Sequence, residues 1–421
     1  MKNNFKFLTL AAFAAATVLS SCNKSDGDNG VFEGDLPSVI SSDFHLTAGE
    51  YWLNGACHVT NGSKLTIDPG VTIKAYCDEL FDYILIEQGS TIYAVGEANN
   101  PIVMTSESAA DGWGGLHLCG KATINGSSTT AESEIGESIY GGSSDNDNSG
   151  TLKYVRVENS GKTISSEKEA NGFSFYGVGS GTSVSYCQAY GGSDDGFEFF
   201  GGTAEISNCV VIDCTDDSFD WTQGWRGKAT NIIAIQTTGS DCDCLMECDN
   251  SGSDNSRVPV SRPTITNATL IGDGDGKGIR LREGTQIELD NVIVYNAATP
   301  LVVESQLTHA SLTNDWSNTE VAALVADWGA TYKEESILKN IALDGAMTST
   351  ASVTTDDGDT YTVDASYQYT SSNFTSGTNN TESASFTNTT SYKVATTDVS
   401  GAFDTATDWT AGEWCTMPTS L

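Results

Sequence analysis

The segment Gly191-Gly-Ser-Asp-Asp-Gly-Phe-Glu-Phe-Phe-Gly-Gly202 recurs in altered form 22 residues further on, and this self-similarity constrains the fold more than any other feature of the chain. Ser185-Tyr-Cys-Gln-Ala-Tyr falls on Ser207-Asn-Cys-Val-Val-Ile, Asp194-Asp195 on Asp216-Asp217, and Phe197-Glu198-Phe199 on Phe219-Asp220-Trp221. A period of about 20–25 residues is one turn of a stacked-coil solenoid, in which each coil buries its apolar side only against its neighbours. Forty-three glycines, seven prolines and frequent Ser, Thr and Asn supply tight turns between short strands, so the chain reads as all-β.

Two columns follow from the repeat. Strands beginning Tyr154-Val-Arg-Val, Tyr186-Cys-Gln-Ala, Asn208-Cys-Val-Val, Asn231-Ile-Ile-Ala, Asn267-Ala-Thr-Leu and Asn291-Val-Ile-Val form the first. Their stacked Asn residues are expected to hydrogen-bond one another and the backbone at a turn. Asn171-Gly-Phe-Ser-Phe-Tyr, Asp195-Gly-Phe-Glu-Phe-Phe, Asp217-Ser-Phe-Asp-Trp-Thr, Leu245-Met-Glu-Cys-Asp and Lys277-Gly-Ile-Arg-Leu-Arg form the second. Side chains alternate along a strand, so Phe197, Phe199, Phe219, Trp221, Ile279 and Leu281 are expected in the core. Ser174, Glu198, Asp220, Glu247 and Arg280 are expected together on one outer face.

That face carries the candidate chemistry. Coils stack at about 4.8 Å, which puts Glu198 and Asp220 roughly 5 Å apart, with Glu247 as a third carboxylate. Three outcomes are open: a shared Ca²⁺ on Glu198, Asp220 and Glu247; a carboxylate pair acting on a glycosidic bond, with Arg280 beside it; or a solvated acidic stripe. Tyr176, Phe200 and Trp225 lie close enough in the pattern to stack on a sugar, or else are covered rings. Asp194, Asp195, Asp216 and Asp217 precede Gly or Ser and read as turn formers. Asp273-Gly-Asp-Gly-Lys-Gly278 lacks the ligand spacing of an EF-hand, the four histidines form no metal pair, and no Walker, GxGxxG or GxSxG sequence occurs.

The first 21 residues read as a processing signal: Lys2 and Lys6, an apolar run from Phe7 to Leu19, then Leu19-Ser-Ser-Cys22. This ending resembles a bacterial lipobox, with Cys22 the lipidated first residue of the mature chain. Residues 22–42 read as a flexible tether, and Asp26, Asp28 and Glu33 resemble the surface-export signal of Bacteroidetes lipoproteins. Without residues 1–21 the chain carries 18 basic against 56 acidic side chains, which disfavours nucleic acid and anionic lipid. A neutral glycan or a divalent cation fits better. Ten cysteines beyond Cys22 in an exported chain predict disulfides, with Cys187 and Cys209 paired across neighbouring coils.

Coils are expected over residues 43–305, a helical insertion or cap over 306–345 and a β-rich cap over 346–421. The one short helix follows a capping box at Ser317-Asn-Thr-Glu320. With Leu65-Thr-Ile-Asp-Pro-Gly70, Ser193-Asp-Asp-Gly-Phe-Glu-Phe-Phe-Gly-Gly-Thr203, Asp216-Asp-Ser-Phe-Asp-Trp-Thr-Gln-Gly-Trp-Arg-Gly227 and the ending Gly401 to Gly412, nearly the whole mature chain resembles a family of Bacteroidetes outer-membrane lipoproteins. The resemblance implies a single-stranded, right-handed parallel β-helix, lipid-anchored in the outer membrane and exposed at the cell surface. For activity the resemblance carries little; the lipobox, the acidic solenoid and the aromatic–carboxylate face point to binding of extracellular polysaccharide beside a nutrient transporter, with a lyase or glycoside hydrolase, or an adhesive surface protein, as the alternatives. The fold is also similar to that of pectin-degrading enzymes, but the His-containing motif of the polygalacturonases is missing.

Overall fold

The computed structural model describes residues 32–421 apart from 79, 109–111, 136–137, 164–169, 238–241, 351, 355–359, 363, 365, 404–407 and 420. The signal segment and Cys22 therefore lie outside the described residues. Two long sheets of 14 and 11 strands run the length of the molecule, every pairing within them parallel. The chain winds from one sheet to the other and back in each coil, as a right-handed parallel β-helix does. The 22-residue alignment is the strand register itself: Ser185 pairs with Ser207 in the larger sheet and Phe197 with Phe219 in the smaller.

In the first coils a larger-sheet layer is built from two strands joined by a turn, such as Lys64–Ile67 and Thr72–Ala75 around Asp68-Pro-Gly70. From Gly150–Glu158 onward the two merge into one bent strand, which pairs with Thr91–Val95 through its first half and with Ile102–Ser106 through its second. The bend is a residue in the left-handed region: Tyr154, Tyr186, Asn208, Asn231, Asn267, Asn291 and Asn340 all have φ between 51° and 60°. Asn is among the few residues that tolerate this conformation. The stacked amides bond as expected, Asn267 Nδ2 to Asn231 Oδ1 (2.9 Å) and Asn291 Nδ2 to Asn267 Oδ1 (2.7 Å).

Inside, aromatic rings stack coil upon coil. Phe173 lies 4.5 Å from Phe197, Phe175 5.0 Å from Phe199, and Phe197 5.5 Å from Phe219, all near parallel. Ile279 and Leu281 continue the same buried rows. A fully buried side chain of this size contributes about 1.5–3 kcal/mol.

The ends differ from the expected boundaries. Strand pairing begins at Phe32–Asp35, and after the helical stretch Ile337–Leu343 and Thr348–Ser349 rejoin the two sheets. Among the described residues three α-helices occur, Gln306–Thr313, Thr319–Leu324 and Ser371–Ser376, instead of one. The second begins one residue later than predicted: its cap is Asn318, whose side chain accepts from the N–H groups of Glu320 and Val321.

Residues 378–403 and 408–417 form a strap along the outside of the larger sheet. Asn340 N donates to Thr378 O and Ala384 N to Leu343 O. Further back, Asn291 Oδ1 accepts from Gly401 N, Thr269 Oγ1 from Ala402 N, and Gln188 Oε1 from Thr416 N. Trp414 N reaches Ala98 O. Beneath the strap lie outward-facing Val210, Ile212, Ile233, Ile235, Ile271 and Ile293. No helix among the described residues is long and apolar enough to cross a membrane.

The ten described cysteines are free thiols. The disulfide predicted for Cys187 and Cys209 is absent, although the two share a register position and their side chains meet in the core. Each sulfur instead points toward a carbonyl of its own strand, Ser185 O and Ser207 O at 3.5 Å. Burial holds the Cys187 thiol well above its ordinary pKa.

Candidate functional site

The outer column of the smaller sheet is in register over six coils. His117 pairs with Ser174, Ser174 with Glu198, Glu198 with Asp220, Asp220 with Glu247, and Glu247 with Arg280. The strand spacing brings these side chains together because odd positions such as Phe197 and Phe199 are occupied by core rings.

Glu198 and Asp220 form the centre. Their carboxyl oxygens approach within 4.8 Å of one another on adjacent coils. Asn171 Nδ2 donates to Glu198 Oε2 at 2.5 Å. Burial, with the charges of Glu134 and Asp220 added, pushes the Glu198 pKa well above the carboxylate range. Asp220 is raised in the same way by burial and by Glu247, with Arg282 opposing. Its Oδ1 is covered and meets no hydrogen-bond donor.

Asp195 joins this pair. One oxygen each of Asp195, Glu198 and Asp220 lies within 4.8 Å of the others. Asp195 also serves the turn, as the sequence suggested: its Oδ1 accepts from Asp217 N at 2.9 Å, and Asp217 Oδ1 in turn accepts from Cys244 N at 2.6 Å. Among the described residues no basic side chain forms an ion pair with Asp195, Glu198, Asp217 or Asp220. The sequence signal for Asp195 was its place three residues before Glu198 and one coil before Asp217, but its turn role masked it.

Glu247 and Arg280 belong to a separate knot. Arg280 pairs with Glu247 (2.9 Å), Glu304 (3.2 Å) and Asp243 (3.7 Å), while Arg282 pairs with Glu247 (2.5 Å) and Asp249 (2.9 Å). Both guanidiniums are thus committed to carboxylates on neighbouring coils. Glu247 is already neutralised, and the carboxylate that completes a set with Glu198 and Asp220 is Asp195. A three-oxygen set without a basic partner suits Ca²⁺ chemistry.

The rings expected to face a ligand are covered. Tyr176 and Phe200 stack at 4.4 Å and are buried beneath Ile124 and Tyr140. Residues 120–135 and 138–150 fold back over this face. They are anchored where Tyr140 Oη donates to Gln223 Oε1 at 2.8 Å. Trp225 is a core residue, stacked on Phe199 at 4.1 Å with its Nε1–H donated to Ala204 O. None of the three presents a free face for a sugar.

Coil stacking, the outer carboxyl column and the buried aromatic rows are those of a parallel β-helix solenoid. The model of the pectate-lyase-like β-helix domain matches residues 38–415, so the chain belongs to that family. No curated protein and no solved structure matches the sequence.

Proposed function

We propose that this protein engages an extracellular polysaccharide along the outer face of its 11-stranded sheet and acts on a glycosidic bond at the Glu198–Asp220 pair. The observation that carries the reading is that pair itself: two carboxyls with oxygens within 4.8 Å, one coil apart, and no ion-paired base among the described residues. Two interacting acids this close titrate as a unit, and loss of the first proton leaves a base beside an acid. The pair therefore offers an acid and a base side by side, the requirement for glycoside cleavage. The remaining proton passes to the glycosidic oxygen as its bond to the anomeric carbon breaks. Water adds to that carbon, and its released proton returns to the pair.

Family membership supports the substrate class, since the family takes its description from pectate lyase. The charge of −36 favours a neutral or sparsely charged glycan over a dense polyanion. The lipobox-like Leu19-Ser-Ser-Cys22 supports lipid anchoring in an outer membrane, and the acidic residues after it support surface exposure beside a nutrient transporter.

The test is incubation of the mature chain with a panel of neutral and sparsely charged polysaccharides, scored for new reducing ends and for unsaturated products. Turnover that disappears in Glu198→Gln and Asp220→Asn supports the reading. Turnover unchanged in both, or no turnover on any glycan the protein binds, overturns it. A second reading, Ca²⁺ at Asp195, Glu198 and Asp220, is favoured by their three convergent oxygens. It predicts Ca²⁺ binding by calorimetry that weakens as pH falls, because the same oxygens must first lose their proton.

A further inference from the structure

Beside the carboxyl pair lies a cleft of about 300 Å³, walled by Asn125, Ser127, Thr222, Gln223, Ser251 and Arg257 among others. Thr222 is two residues beyond Asp220 in the strand Phe219–Thr222, so both side chains stand on the same outer face. The segment that covers Tyr176 and Phe200 also forms one wall.

Two wall residues have unmet hydrogen-bonding capacity. Asn125 is 2% exposed, and its Nδ2 donates to Asn250 Oδ1 (2.8 Å) and Pro259 O (3.1 Å), yet its covered Oδ1 meets no donor. The Nε–H of Arg257 is likewise covered without an acceptor. Arg257 also stands apart electrostatically. The chain has six arginines, and Arg156, Arg226, Arg262, Arg280 and Arg282 each pair with a carboxylate. Arg257 alone forms no ion pair among the described residues, in a chain where acids far outnumber bases.

A covered acceptor and an uncommitted guanidinium on one polar cleft call for a ligand that brings a hydroxyl donor and an anionic oxygen. We propose that this cleft is a subsite for a single sugar residue bearing an acidic group, a sulfate ester or a carboxylate. It would select where along a sparsely charged glycan the neighbouring pair acts. Arginine binds either oxyanion through paired N–H donors, and the surrounding hydroxyls complete the sugar's hydrogen bonding. The inference rests on the polysaccharide reading for its biological role, although the cleft's affinity does not depend on turnover.

The test is calorimetric titration of the full mature chain with N-acetylglucosamine 6-sulfate, glucuronate and glucose. One of the two acidic sugars should bind about tenfold or more tighter than glucose, and which one does so identifies the anionic group. Arg257→Gln should abolish that preference, while Arg257→Lys, which keeps charge without the fork, should retain part of it. Ser253→Glu, at an exposed position on the same cleft, should weaken acidic sugars without affecting glucose and guards against a folding defect in the arginine variants. Equal binding of all three sugars, or a preference untouched by Arg257→Gln and Ser253→Glu, overturns the proposal. Glu198→Gln should leave the preference intact. An Arg257-dependent preference in a protein that cleaves no glycan would sustain the subsite and sink the catalytic reading.

Discussion

Glu198 and Asp220 face one another across a single coil spacing with carboxyl oxygens within 4.8 Å, Asn171 Nδ2 donating to Glu198 and, among the described residues, no cation paired to either acid. Replacing one carboxyl by its amide keeps shape and hydrogen bonding but removes the exchangeable proton. Glu198→Gln and Asp220→Asn should each lower turnover of a cleaved glycan by about 10²–10⁴-fold, the usual worth of acid–base catalysis. Neither should lower the melting temperature, because each relieves like-charge repulsion. A variant that loses activity only in proportion to lost fold would remove the pair from the chemistry.

The pH dependence of stability follows from the same burial. Asp195, Glu198, Asp217 and Asp220 all have folded pKa values raised well above their ordinary ones, chiefly by burial. The folded state therefore holds protons that the unfolded chain releases above about pH 4. Stability from these groups is present below that pH and declines as pH rises toward their folded values. His117 and His309, buried and lowered to about 4, act oppositely: they cost stability as pH falls below about 6.5. Thermal melts should thus reveal a loss of stability as pH rises above about 4 that flattens in Asp195→Asn and Glu198→Gln. An unchanged slope in both would mean these acids are ionised in the folded protein.

The sequence made the coil register legible because a solenoid repeats its own contacts. A shift of 22 in the text is a neighbour in space, so Glu198, Asp220 and the phenylalanine rows could be placed from spacing alone. The Asn bends were legible for the same reason. What covers the outside was not. Ile124 and Tyr140 lie on a non-repeating insertion, and Val394, Val399, Ala402 and Trp414 on a non-repeating tail, so no period announces which sheet face either one meets. Tyr176 and Phe200 looked exposed because alternation tells inner from outer side and says nothing of a second layer. Arg257 carried no signal at all, since its lack of an ion pair exists only once the other five arginines have found theirs.

The Asn bends are open to a direct measurement. Asn267 holds φ near 60° and its amide both donates to Asn231 and accepts from Asn291. Asn267→Ala loses both bonds, leaves the Asn291 donor short of one partner and puts a Cβ-bearing residue without a local hydrogen bond in the left-handed region. The combined cost should be about 2–3 kcal/mol in urea unfolding. Asn267→Gly, which removes only the bonds, should cost less. Equal losses would place the whole effect in the amide ladder and none in the backbone.

The strap offers the clearest separation of stability from function. Trp414 is fully buried, 5.7 Å from the Tyr186 ring and 6.0 Å from that of Tyr154, with its backbone N–H bonded to Ala98 O. It pins the far end of the tail over a sheet face that carries Val210, Ile212, Ile233 and Ile235. Trp414→Ala should cost about 3–5 kcal/mol, as large-to-small core changes do. It should also raise the fluorescence of a hydrophobic dye, because loosening the tail uncovers an apolar face. The Glu198–Asp220 pair lies on the other sheet, so turnover and acidic-sugar binding should persist at temperatures where the variant remains folded. Unchanged melting and dye binding would show that the strap is held by its hydrogen bonds to Asn291, Thr269 and Gln188 alone. Lost turnover in a variant still folded by circular dichroism would instead couple the two sheets through the core, a connection that the stacked Phe173–Phe197–Phe219 rows could transmit.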